Sequence, residues 1–129
     1  MDTYVKTTDK TREEAVGALE AALKEAKFGV LWNFDMSATL ESKGIQPPAP
    51  YTILEVCKPS IAEQVLSEEL TAGSFLPCKI AVFEKDGRAT ISMPLPTKLL
   101  AGFGNQRMDQ IAAEAEQQLK ACIDQVAGS

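Results

Sequence analysis

The stretch CKIAVFEKDGRATISMP, residues 78–94, constrains the fold more than any other. Asp86-Gly87 stands between two runs of β-formers, and such a pair supplies the left-handed residues of a two-residue hairpin turn. Residues 78–84 and 88–93 are therefore expected as adjacent antiparallel strands, and Pro94 and Pro96 stop the second. A chain that contains this hairpin carries a sheet. Everything else must either extend that sheet or cover it.

The remaining segments sort by period. TYVKT at residues 3–7 alternates and reads as a short strand. Thr11 and Glu14 form a capping box, and Val16, Leu19, Leu23 and Ala26 repeat at three and four residues, predicting a helix that ends near Lys27. After Gly29, the alternation of Val30, Trp32, Phe34 and Met36 with Leu31, Asn33 and Asp35 predicts a strand whose first set is a strongly apolar face. One helical turn fits before Gly44, followed by a loop through Pro47, Pro48 and Pro50. Residues 51–57 are a further strand. Pro59 suits the first turn of a helix, Ser60 and Glu63 offer a capping pair, and Ile61, Val65, Leu66 and Leu70 give it an apolar side. TAGSFLP reads as a loop. Asn105 caps a last helix with Met108, Ile111, Ala112, Ala115, Leu119, Cys122, Ile123 and Val126 in one stripe. The order β-α-β-β-α-β-β-α predicts an α+β fold of two layers, an antiparallel or mixed sheet with helices packed on one face. At 129 residues the chain is expected to be a single domain over residues 1–129.

Composition removes several functions. A net charge of −5 provides no electrostatic footprint for nucleic acid or anionic lipid. No stretch approaches the roughly 18 apolar residues of a membrane span, and the first ten residues hold no apolar signal core. Three cysteines without framework spacing suit a reducing cytoplasm. Histidine is absent altogether, which removes Ser-His and Cys-His nucleophile pairs and the commonest zinc ligand.

FGVLWNFDMSATLESKGI (residues 28–45), YTILEVCKPSIAEQVL (51–66) and LPCKIAVFEKDG (76–87) resemble, in order and at natural spacing, the domain of unknown function 302 family. These are small bacterial and archaeal proteins without an established activity, and MPLPTKLL is similar to that family as well. The resemblance implies an α+β fold and a homodimer. It implies no reaction.

Cys57 is the leading functional candidate. It lies just before a helix, where the dipole favours thiolate, and Lys58 beside it adds positive charge. The plainer reading, a small apolar residue ending a strand, weighs more. Whether Cys57 pairs with Cys78 depends on the connection between their strands. A regular β-α-β crossover places them at opposite ends of strands about 20 Å long, at ~3.3 Å per residue, beyond the ~7 Å reach of a disulfide. Alternation also sets Cys57 with Tyr51, Ile53 and Glu55 but Cys78 with Ile80 and Val82. An irregular crossover would bring the two together. A metal site lacks partners, since there is no CxxC and Cys122 belongs to the core stripe, so neither a metal nor a cofactor is expected. Asp35 and Glu55 are either paired carboxylates on neighbouring strands, as acid-base chemistry uses, or solvated strand-end residues. Gly102-Phe103-Gly104 reads as a turn. Trp32 reads as core.

A mixed face of Leu31, Asn33, Asp35, Tyr51, Ile53 and Glu55 is left over, and its character fits a partner subunit or a small ligand. The leading expectation is a non-catalytic homodimeric module that binds through this face or through the dimer cleft. The alternative is a thiol-based redox or thiolate-metal protein centred on Cys57 with Cys78. The residues at stake are Asp35, Glu55, Cys57, Lys58 and Cys78.

Overall fold

The computed structural model describes residues 2–128. Five strands, β1 (Thr3–Thr8), β2 (Gly29–Asp35), β3 (Tyr51–Cys57), β4 (Cys78–Lys85) and β5 (Arg88–Pro94), form one sheet in the order β1-β5-β4-β3-β2. Every neighbouring pair is antiparallel. The hairpin expectation holds: Asp86 and Gly87 take φ of 55° and 76°, and Lys85 stands opposite Arg88.

The helices are α1 (Arg12–Glu25), α2 (Met36–Ser42), α3 (Pro59–Glu68), α4 (Pro96–Leu99) and α5 (Gln106–Ala127), with short 3₁₀ segments at Leu70–Phe75 and Ala101–Phe103. The capping box of α1 closes in both directions, with the Glu14 N–H donating to Thr11 Oγ1 and the Thr11 N–H to Glu14 Oε1. Residues of α5 from Met108 to Val126 bury the stripe read from their spacing. Helices α1 and α5 lie on one face of the sheet. There Leu54, Val56, Ile80, Val82, Ile91 and Met93 are fully buried against Leu19, Leu23, Leu119 and Ile123. A second cluster of Val65, Ala72, Leu100, Met108, Ile111 and Ala112 joins α3 to the start of α5. Among the described residues no helix is long and apolar enough to cross a membrane.

Three local readings change. Helix α3 takes Lys58 as its N-cap without a side-chain bond, so Ser60 and Glu63 do not cap it. Met36 opens α2 rather than ending β2, because the Asp35 carboxylate caps that helix through the Ala38 N–H. Trp32 is not core. A bulge between Val30 and Trp32 shifts the register, so Asn33 stands opposite buried Leu54 while Trp32 and Phe34 stand opposite Glu55 and Ile53. One extra residue in a strand reverses the faces of everything beyond it, and Trp32 is 52% exposed as a result.

Candidate functional site

The face of the sheet turned away from α1 and α5 is built by the same alternation that builds the core. Opposite residues share a face in an antiparallel pair, so Phe34, Ile53, Ala81, Ser92 and Val5 form one row across all five strands. Tyr51, Phe83, Thr90 and Thr7 form the next. Trp32, Glu55 and Lys79 stand in a third. Trp32 stacks on Phe34 with ring centres 4.7 Å apart, and Tyr51 stacks on Phe83 at 5.4 Å with the planes 4° apart. Lys79 Nζ donates to Glu55 Oε2 at 3.1 Å, so this cross-strand ion pair neutralises itself. These rows make an aromatic and aliphatic sheet face that is half open to solvent.

Recesses border it. Met36 and Leu40 of α2, Pro48 and Ala49 of the loop, and Tyr51 and Ile53 of β3 line an open recess of about 310 Å³. Pro48, Ala49 and Tyr51 also wall a neighbouring space of about 490 Å³ that reaches Phe83, Glu84, Lys85 and Asp86. At the far end, Phe75, Pro77, Cys78, Lys79, Pro94, Pro96 and Leu99 surround about 210 Å³.

Strand direction overturns the expected separation of Cys57 and Cys78. Because β4 runs antiparallel to β3, Val56 lies opposite Cys78, and Cys57 is beside it at the same end of the sheet. The connection through α3 is an excursion between neighbours, not a crossover. Alternation still sends the two side chains to opposite faces: Cys78 packs toward the core, and Cys57 follows Ile53 and Glu55. Both are free thiols. Burial pushes the Cys78 thiol upward, a Cys57 charge nearby does the same, and Lys79 opposes them. Lys58 does not serve Cys57. Its ammonium lies 4.8 Å from the Phe28 ring centre and donates to Gln118 Oε1 at 2.7 Å, on the helix side. It faces Cys122 there, whose thiol burial raises and Lys58 lowers.

Asp35 and Glu55 are not a pair. Asp35 stands opposite Thr52 and Glu55 opposite Trp32, three residues apart along the β2–β3 ladder and on different faces. Asp35 belongs to a polar clamp under the start of α1. Arg12 Nη1 donates to Asp35 Oδ2 at 3.1 Å and to Thr52 Oγ1 at 3.3 Å, and the Arg12 N–H donates to Glu84 Oε1 at 2.7 Å. The Ser37 hydroxyl and the Ala38 N–H hold the Asp35 carboxyl below its ordinary range, and Arg12 adds to this. Charges so matched brace three strands. Among the described residues no group of three or more cysteine, aspartate or glutamate side chains is placed to hold a metal.

Alternation along the sequence therefore places Tyr51, Ile53 and Glu55 on the open face but misses Trp32, Phe34 and Phe83. Phe83 was legible, two residues from Ala81 and opposite in phase to Ile80 and Val82. Trp32 and Phe34 were not, since no residue type marks Leu31 as a bulge.

The chain matches the family described as domain of unknown function DUF302 over residues 4–126. It is 40% identical to an uncharacterized conserved DUF302 protein from Bacillus stearothermophilus, whose crystal structure aligns over 98% of each chain with a TM-score of 0.93. No curated protein matches.

Proposed function

The chain belongs to the DUF302 family, and we propose that it acts there as a non-catalytic homodimeric binding module, joined through the open face of its sheet. One observation carries this reading: Trp32, Phe34, Tyr51, Ile53 and Phe83 lie together on the face that α1 and α5 leave uncovered. The face is roughly 19 Å across and roughly 23 Å long at ordinary strand spacings. A second copy laid on it would cover several hundred Å² per partner, near the ~800 Å² of a standard interface once the rims are included. Twofold pairing suits a face whose ion pair, Lys79 with Glu55, is already neutral. The lack of histidine leaves no Ser-His or Cys-His pair for nucleophilic chemistry. Light scattering should give twice the 13.9 kDa chain mass at micromolar concentration, and Trp32→Glu with Phe34→Glu should return it to the single-chain mass. A native chain at single mass throughout that range would remove the dimer.

A second reading keeps the thiols. The adjacency of Cys57 and Cys78 at one sheet end supports a thiol-centred redox or soft-metal role. The opposite faces of their side chains weigh against it.

A further inference from the structure

We propose that the recess between α2, the proline-rich loop and β3 is a binding site for a small, neutral, planar aromatic molecule. This rests on the reading of the open face as a binding surface, and not on the dimer. The lining is Met36, Leu40, Pro48, Ala49, Tyr51 and Ile53, which carries no charged side chain and only the Tyr51 hydroxyl as a hydrogen-bonding side-chain group. A charged ligand would lose its hydration there without a counter-charge in return. Neutrality is thus set by the wall.

Planarity is set by the rings. Tyr51 lies nearly parallel to Phe83, 4° between planes, and borders the recess on one side and the Phe83 space on the other. A flat ring placed in the recess continues that stack, as offset aromatic rings prefer. Phe34, stacked on Trp32, stands opposite Ile53 on β2 and lies outside the lining of the recess, so Tyr51 is the ring that a ligand would meet. Size follows from volume. An apolar cavity of about 150 Å³ takes benzene, and about 310 Å³ admits a fused bicyclic ring. Met36 supplies a polarizable, adaptable wall for its edge, and Pro48 and Ala49 a fixed apolar one.

The probe is 2-naphthol, titrated into ¹⁵N-labelled full-length protein near neutral pH and followed by amide chemical shifts. Saturable shifts should centre on Met36, Leu40, Ala49, Tyr51 and Ile53, with a dissociation constant of about 1 mM or tighter. 2-Naphthoate, the same ring with a charge, should bind at least about tenfold more weakly. Tyr51→Leu keeps an apolar floor but removes the stack and should weaken 2-naphthol about three- to tenfold. Ala49→Phe fills the space and should abolish binding; if that variant fails to fold, the Tyr51→Leu series and the naphthoate comparison decide. Absence of saturable shifts up to the solubility limit, shifts centred at the Phe75–Leu99 recess, or equal affinity for naphthol and naphthoate would overturn the site. Tyr51 and Ile53 belong to both surfaces, so light scattering of the same samples separates the two ideas: a single-chain mass with saturable shifts removes the dimer and keeps the site, and a dimer mass without them does the reverse.

Discussion

The two faces of the sheet are made by the same strands and differ in what fills them. Toward α1 and α5 the strands present Leu54, Val56, Ile80, Val82, Ile91 and Met93, all aliphatic or thioether and all fully buried. Away from the helices they present Trp32, Phe34, Tyr51 and Phe83 among threonines, a serine and an ion pair. Branched aliphatic chains interlock with helix ridges at close packing density. Aromatic rings offer broad flat contact and a polar tip, as surfaces that meet partners do. Apolar content alone therefore does not identify a core. What distinguishes the faces is residue shape and the presence of a covering helix.

The comparison breaks most readily at two adjacent residues of β3. Leu54→Ala should destabilise by about 2–5 kcal/mol, since it opens a cavity that helices on one side and strands on the other cannot close. Ile53→Ala, one residue away on the open face, should cost about 1 kcal/mol or less in the single chain. If a second copy covers the face, the Ile53 loss instead grows and depends on protein concentration. Urea midpoints at two concentrations read both. Similar losses at the two positions, unmoved by concentration, would mean that the faces do not differ.

A smaller effect is expected at the hairpin, which sets the register and hence which residues take which face. Gly87 has φ of 76°, and Gly87→Val should lower stability by about 1 kcal/mol or more with the denaturant slope unchanged. An unmoved midpoint would show that the turn does not hold the register.

The thiols should show the smallest change in stability and a clear difference in reactivity. Cys57→Ser should lie within about 0.5 kcal/mol of the parent, as substitutions at partly exposed sites do. Brief iodoacetamide treatment followed by mass spectrometry should label Cys57 ahead of Cys78. Cys78 faces the core, and burial together with the nearby Cys57 keeps its thiol protonated. Equal labelling would erase the distinction between faces at this end of the sheet.

Much of the fold was legible because its signals are local. Asp86-Gly87, the Thr11–Glu14 capping box and the stripe from Met108 to Val126 each act within a few residues, where backbone sterics and the 3.6-residue period decide the outcome. The candidate site was less so. Tyr51, Ile53 and Glu55 could be placed by alternation, but Trp32 and Phe34 could not, because the bulge at Leu31 depends on how β2 meets β3. Lys58 read as a neighbour of Cys57, yet its long side chain swings to Phe28 and Gln118, contacts separated from it by tens of residues.

The five strands, the three longer helices, the hairpin, the α+β class and the lack of histidine were legible in the chain, whereas the short helix α4 and the 3₁₀ segments were not. The legible features depend on residue types and short-range periodicity. That β4 runs back beside β3 and that α1 and α5 share one face follows from long-range packing. A ten-residue helix with a following turn can serve either a crossover or an excursion. Which one forms depends on where α1 and α5 bury their stripes, a long-range packing choice that no local pattern encodes. That choice brought Cys57 beside Cys78 and left the aromatic face open, while the bulge in β2 parted Asp35 from Glu55.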